Sequence, residues 1–299
     1  MRIAVASGKG GTGKTTIAVN LALSIATSSR AERPTSVKFL DCDVEEPNAA
    51  IFLKPTLERE QDVGLMMPEV DLDLCTYCGR CGEVCAYHAI AVLGQQVLVF
   101  PQLCHGCGSC TTNCPEGAIR EVLRPTGTVS WGSIPETDIF FGQGEMNVGE
   151  AMATPIIREM KHRFITDEDQ EVVILDAPPG NACPVVETLR GVDFALLVTE
   201  PTPFGLHDLR LAVELATVEL NLPVGVVINR DGIGDAGVER FCEEEGIPIL
   251  MRIPMDRRIA EAYADGITLI SAQPNYRNAF AALYRQISQI VTEEATRAR

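Results

Sequence analysis

Positive charge is scarce in this chain. Its 25 Lys and Arg residues face 41 Asp and Glu, a formal charge of −16 over 299 residues. A broad nucleic-acid surface needs clustered cations against phosphate, so none is expected. Lysines number only five, and a single tryptophan, Trp131, accompanies few other aromatic residues. No apolar run has the uninterrupted length of a membrane helix, and the N-terminus lacks the charged, apolar and small-residue pattern of a secretory signal. The expectation is a cytoplasmic protein with no stable membrane insertion. Without a secretory signal, the eleven cysteines do not read as an extracellular disulfide framework, and metal ligation is the better reading.

Two of the five lysines lie in one stretch, residues 2 to 16, RIAVASGKGGTGKTT. A short apolar strand, Ile3 to Ala6, enters a turn containing Gly8, Gly10, Gly11, Thr12 and Gly13, and a helical pattern starts at Lys14. Gly8, Gly13, Lys14 and Thr15 satisfy G-x-x-x-x-G-K-[ST], followed by Thr16. Glycines let backbone N–H groups close on phosphate oxygens, Lys14 neutralises charge, and the Thr15 hydroxyl can bind Mg²⁺. A glycine-rich turn alone could be no more than a turn; the strand before it and the helix after it favour the cradle.

With Lys9 inside the loop, the motif K-G-G-x-G-K-T resembles the deviant Walker ATPases: MinD, ParA, Mrp and the nitrogenase iron protein. The resemblance implies ATP or ADP and Mg²⁺ as ligands. It also implies a nucleotide-sandwich dimer, either a homodimer or a heterodimer with a paralogue, in which Lys9 reaches the partner's phosphates. A second apolar strand, Val37 to Leu40, ends in Asp41-Cys42-Asp43. Acidic residues at a strand end can be mere turn formers, but strand carboxyl ends face the ligand crevice of an open α/β sheet. By resemblance this is switch I, with Asp43 beside the attacking water and Asp41 near the Mg²⁺ shell. Asp176, ahead of Pro178-Pro179-Gly180, takes the switch II position, and Asn229 and Arg230 the adenine side.

Between these switches the pattern changes. Cys75, Cys78, Cys81 and Cys85 have the spacing C-x₂-C-x₂-C-x₃-C, and Cys104, Cys107, Cys110 and Cys114 repeat it. Three closely spaced thiolates fit three corners of a 4Fe-4S cube, while the fourth cysteine of each run ligates the other cluster. One site is therefore expected from Cys75, Cys78, Cys81 and Cys114, the other from Cys104, Cys107, Cys110 and Cys85. Zinc sites of four thiolates are the alternative, disfavoured by the doubled spacing. The stretch resembles a bacterial two-cluster ferredoxin, except that Ala86 stands where proline usually follows the fourth cysteine. His105, between two of these cysteines, is not needed as a ligand. Ala89 to Phe100, with Gly94 inside, reads as a hairpin.

Beyond the repeat, residues 125 to 148 read as a strand and loop return and Gly149 to Phe164 as an amphipathic helix. Strands are expected at Glu171 to Leu175, Phe194 to Thr199 and Pro223 to Ile228, with a helix over 205 to 220 and a further strand and helix over 247 to 270. The last helix carries an apolar stripe of Phe280, Leu283, Tyr284, Ile287, Ile290 and Val291. That stripe suits docking on the core better than membrane targeting. Cys42 and Cys242 read as small buried residues. Cys183 occupies the offset at which the nitrogenase iron protein places a bridging-cluster cysteine, but the matching Gly142 to Gly149 loop has no cysteine, which favours a structural or thiol-relay role.

The expected fold class is α/β. A mostly parallel sheet with helices on both faces (residues 1–70 and 125–299) carries a small inserted ferredoxin-like α+β domain (71–124). The expected function is a dimeric ATPase switch with two 4Fe-4S clusters, serving ATP-gated electron transfer or metallocluster maturation for a redox or metallocluster partner protein. A spatial-positioning ATPase with structural or redox-sensing clusters is the alternative. An amidotransferring ligase shares the phosphate loop, but no glutaminase segment is present.

Overall fold

A computed structural model describes residues 1–27, 36–165 and 171–297. Eleven strands are assigned among these residues: β1 Arg2–Ala6, β2 Ser36–Asp41, β3 Thr56–Val70, β4 Ile90–Leu93, β5 Gln96–Val99, β6 Ile119–Ser133, β7 Ile139–Met146, β8 Glu171–Asp176, β9 Phe194–Thr199, β10 Val224–Asp231 and β11 Ile249–Pro254. Nine form one sheet in the order β11-β10-β9-β1-β8-β2-β7-β6-β3. Pairing is parallel from β11 through β7. It turns antiparallel for β6 and β3.

The central strands are short apolar runs because both sheet faces are covered. Successive residues of β1 point to opposite faces: Ala4 and Ala6 join one core and Ile3 and Val5 the other. The helices Lys14–Ala26 and Asn275–Arg297 pack together on the second face, where Phe280, Leu283 and Ile287 are fully buried. The terminal stripe is therefore spent on the core. Among the described residues no helix is long and apolar enough to cross a membrane.

Long strands β3 and β6 are the feature that local patterning missed. They pair over 15 residues each, from Thr56↔Ser133 out to Val70↔Ile119, and the cysteine segment sits at the far end of this ribbon. Residues 119 to 124 thus belong to the ribbon strand opposite 65 to 70. A register shift falls at Val63/Gly64, where an added Cβ on Gly64 would lie 1.9 Å from the Arg124 carbonyl oxygen. In the outer half of the ribbon, Arg124, opposite Leu65, donates to both carboxylate oxygens of Glu150, at 3.1 and 2.5 Å.

Two further expectations are corrected. Gly142 to Met146 is not a loop but part of β7, where an added Cβ on Gly144 would come within 2.8 Å of Ile156, Val44 and Met160 side-chain atoms. Residues 149 to 153 are not helical either: the helix begins at Thr154, with Pro155 in its first turn and the left-handed Gly149 (φ 87°) outside it. The β4–β5 hairpin and the burial of Cys42 and Cys242 agree with the sequence reading. Cys183 is exposed at the first turn of the helix Cys183–Leu189.

Candidate functional site

The parallel strands bring the residues expected to form the phosphate loop and the switches to the carboxyl end of the sheet. Asp41 and Asp176 are register partners at the carboxyl ends of β2 and β8, and Val5, next to the loop, is registered with Asp176. Gly180 N–H donates to the Ser7 carbonyl at 3.0 Å, tying the Pro-Pro-Gly turn to the loop. Gly13 closes the loop in left-handed conformation (φ 93°), directly ahead of the helix carrying Lys14, Thr15 and Thr16. Packing by itself requires Gly8: an added Cβ would lie 2.3 Å from the Asp208 carbonyl oxygen.

Three buried carboxylates converge here, with one ammonium among them. Lys14 donates to Asp43 at 3.1 Å. Burial raises the Asp43 carboxyl above its ordinary range, opposed mainly by Lys14. Asp41 is pushed up to about 7 by burial, although its oxygens accept backbone N–H groups of Ala49, Asn48 and Asp43 at 3.0, 3.1 and 3.2 Å. Asp176 is held well above the carboxylate range by burial and by the Asp41 charge, and among the described residues neither of its oxygens has a hydrogen-bond partner. The Thr12 hydroxyl is likewise buried and without a partner among the described residues. Three carboxylates facing one ammonium form an oxygen donor set of the kind that suits a hard divalent cation held through oxygen and water.

On the other flank of the loop, Asn229 donates from its amide nitrogen to the Thr12 carbonyl at 2.8 Å, and Arg230 follows in left-handed conformation (φ 53°). Lys9 donates to Glu200 at 3.0 Å, and Arg230 donates to the other Glu200 oxygen. Sequence reasoning passed over Glu200. Its position just past β9 is the same signal that singled out Asp41 and Asp176.

The cysteine segment obeys its own symmetry. Residues 29 positions apart adopt the same backbone, with Tyr77 and Gly106, Gly79 and Gly108, and His88 and Gly117 all at positive φ. Tyr77 and Gly106 N–H groups donate to Cys75 and Cys104 Sγ at 3.4 and 3.5 Å. Ala89 and Ala118 N–H groups donate to Cys85 and Cys114 Sγ at 3.2 and 3.3 Å. One cavity is lined by Cys85, Cys104, Cys107 and Cys110, and a second by Cys75, Cys78, Cys81 and Cys114. Each cavity therefore draws three cysteines from one run and the fourth from the other. Among the described residues, no three His, Cys, Asp or Glu close on a single ion position. Eight sulfurs ringing two cavities, four of them receiving backbone N–H groups, suit a polynuclear thiolate-bound group. Burial raises the Cys81 and Cys110 thiols, while the Ser109 hydrogen bond lowers Cys107. His105 stacks on Tyr87 with ring centroids 3.8 Å apart, bridging the turn at Ala86 to the opposite run.

The CobQ/CobB/MinD/ParA nucleotide binding domain family matches residues 3–270. An uncharacterized protein of Methanocaldococcus jannaschii is 31% identical over 270 residues, covering 89% of this chain and 90% of its own length. The iron-sulfur cluster carrier protein of Pyrococcus abyssi is 26% identical, covering 90% of this chain and 79% of that protein. Among solved structures, the septum site-determining protein MinD of Pyrococcus horikoshii, complexed with Mg-ADP, superposes with a TM-score of 0.56 at 19% identity. It covers 97% of this chain and 96% of its own.

Proposed function

Because the chain belongs to the CobQ/CobB/MinD/ParA nucleotide-binding family, we propose that it is a dimeric ATPase switch holding two 4Fe-4S clusters, which uses ATP to gate electron transfer to, or metallocluster maturation of, a partner protein. The observation that carries this reading is the ribbon β3–β6. It starts thirteen residues past Asp43, beyond the short helix Ala49–Leu53, and ends at two cavities, each lined by four cysteines. The dimer forms from two copies or from this chain and a paralogue.

In this reading the loop from Gly8 to Thr16 binds the phosphates, with Gly10 and Gly11 exposing N–H groups, Lys14 supplying the cation and Thr15 the hydroxyl for Mg²⁺. Asp43 orients the attacking water, and Asp176 and Asp41 hold the Mg²⁺ shell beside Gly180. Asn229 and Arg230 flank the adenine. Lys9 neutralises phosphate charge across the dimer, so hydrolysis and assembly are linked. Cys75, Cys78, Cys81 and Cys114 would hold one cluster and Cys104, Cys107, Cys110 and Cys85 the other; when bound, these groups supply one-electron chemistry. Loss of the γ-phosphate frees Asp43 to reorganise. Val44, the next residue, accepts from Met146 N–H at 2.8 Å, and Asn147 N–H donates to Thr126 of the ribbon at 2.9 Å. A continuous backbone path therefore joins the nucleotide site to the insert.

The test is an anaerobic redox titration with ADP and with a non-hydrolysable ATP analogue. Coupling of typical size, about 1 to 3 kcal/mol, corresponds to roughly 40 to 130 mV in a one-electron potential. Potentials identical in both nucleotides, together with unchanged proteolysis of residues 71 to 124, would refute gating.

A further inference from the structure

Lys9, whose proposed target is the phosphate of a partner subunit, is bound within its own chain. Its ammonium lies 3.0 Å from one oxygen of Glu200, and Arg230 occupies the other oxygen. The Glu200 side chain is only 7% exposed, whereas those of Lys9 and Arg230 are 33% and 46% exposed. The carboxylate is therefore the fixed member and the two cations are the members free to swing. We infer that Glu200 is a positioning residue that stores Lys9 in the monomer, and that Arg230 is the counter-cation that allows Lys9 to leave. The inference rests on the reading of Lys9 as a ligand to phosphate across the dimer.

An ammonium bonded to a buried carboxylate must give up that partner to engage a phosphate elsewhere. Leaving the carboxylate with no partner would be strongly unfavourable in a buried setting. Arg230 removes that penalty, because it stays on Glu200 when Lys9 departs. Its backbone is held by the neighbouring side chain: Arg230 N–H donates to Asn229 Oδ1 at 3.0 Å, and Asn229 is itself bonded to the loop at Thr12. Lys9 is also anchored at its carbonyl, which accepts from the Ser7 hydroxyl at 2.7 Å, so release of the ammonium requires side-chain rotation and no movement of the loop. The same network holds the phosphate loop against the ends of β9 and β10 until a second copy competes for the ammonium.

Opposite shifts from two substitutions test this. Glu200→Gln keeps shape and hydrogen bonding but removes the charge that holds Lys9. With a saturating non-hydrolysable ATP analogue, the concentration needed for dimerisation should fall about five- to tenfold, the scale of a half-exposed charged hydrogen bond. Arg230→Leu should raise it by a similar factor, because Glu200 then depends on Lys9 alone. In the Glu200→Gln background, Arg230→Leu should have no further effect. Sedimentation of the full, cluster-loaded chain reads all three. A merely structural Glu200 predicts instead that Glu200→Gln dimerises worse and melts earlier. Lys9→Ala separates the layers of the argument: if it abolishes dimerisation while Glu200→Gln does not lower the concentration, the storage role is overturned alone. If Lys9→Ala dimerises like wild type, the reading of Lys9 as a phosphate ligand falls and storage with it. Should Glu200→Gln fail to fold, an unchanged concentration for Arg230→Leu overturns the inference by itself.

Discussion

Asp41 gives the stability of this protein one pH-dependent contribution. Burial lifts its carboxyl from 3.8 to about 7 in the folded chain. Between those two values the native state binds a proton that the unfolded state has lost. The contribution to stability is thus complete below pH 3.8, declines as pH rises, and is gone above about 7. At roughly 1.4 kcal/mol per pH unit, the part lost between pH 5 and pH 8 is about 3 kcal/mol, because the slope stops near 7. Asp41→Asn removes the titration. It also sets an amide N–H₂ against backbone N–H groups of Asp43, Asn48 or Ala49, a pH-independent cost of about 1 to 3 kcal/mol. The variant should therefore be less stable than wild type at pH 5, with the gap closing or reversing by pH 8. Urea unfolding without nucleotide or Mg²⁺, at pH 5, 6, 7 and 8, measures it. Trp131 is a suitable reporter, because it is the single tryptophan and packs on Phe164. Parallel pH profiles for wild type and Asp41→Asn would refute the burial argument.

Three further outcomes are expected. Cys85→Ser should damage the site formed with Cys104, Cys107 and Cys110, seen as loss of one signal in electron paramagnetic resonance of the reduced protein; damage confined to the Cys75 site would overturn crossed ligation. Lys14→Ala should weaken ATP binding about 10- to 100-fold by calorimetry, the scale of a buried charge-assisted bond, and an unchanged affinity would contradict its place in the cradle. Phe280→Ala, at a fully buried position, should cost about 3 to 5 kcal/mol in urea unfolding; a cost below about 1 kcal/mol would mean that the terminal helix does not depend on that docking.

The sequence by itself determined the elements whose signal is local. The phosphate loop, the strand-end aspartates and the doubled cysteine spacing are each written in a few consecutive residues, because a tight turn, a strand end and a thiolate loop each impose their chemistry at short range. The parallel sheet followed from alternation of apolar strands with helical patterns, and the terminal stripe from its 3.6-residue period. Only the tertiary structure decided where charges meet. That Asp41 is register partner to Asp176, and that Lys14 is the ammonium among three carboxylates, depends on strands far apart in sequence lying side by side. Glu200 could not be tied to Lys9 from a spacing of 191 residues. The ribbon was hidden for another reason. Residues 56 to 62 are all exposed, so β3 lacks the alternating burial that marks a strand, and it is held chiefly by pairing with β6 on the far side of the insert. Pairing across so long an insertion is a property of the whole chain, and it is this pairing that sets the cysteine cavities at the outer end of a ribbon that joins the sheet through β7.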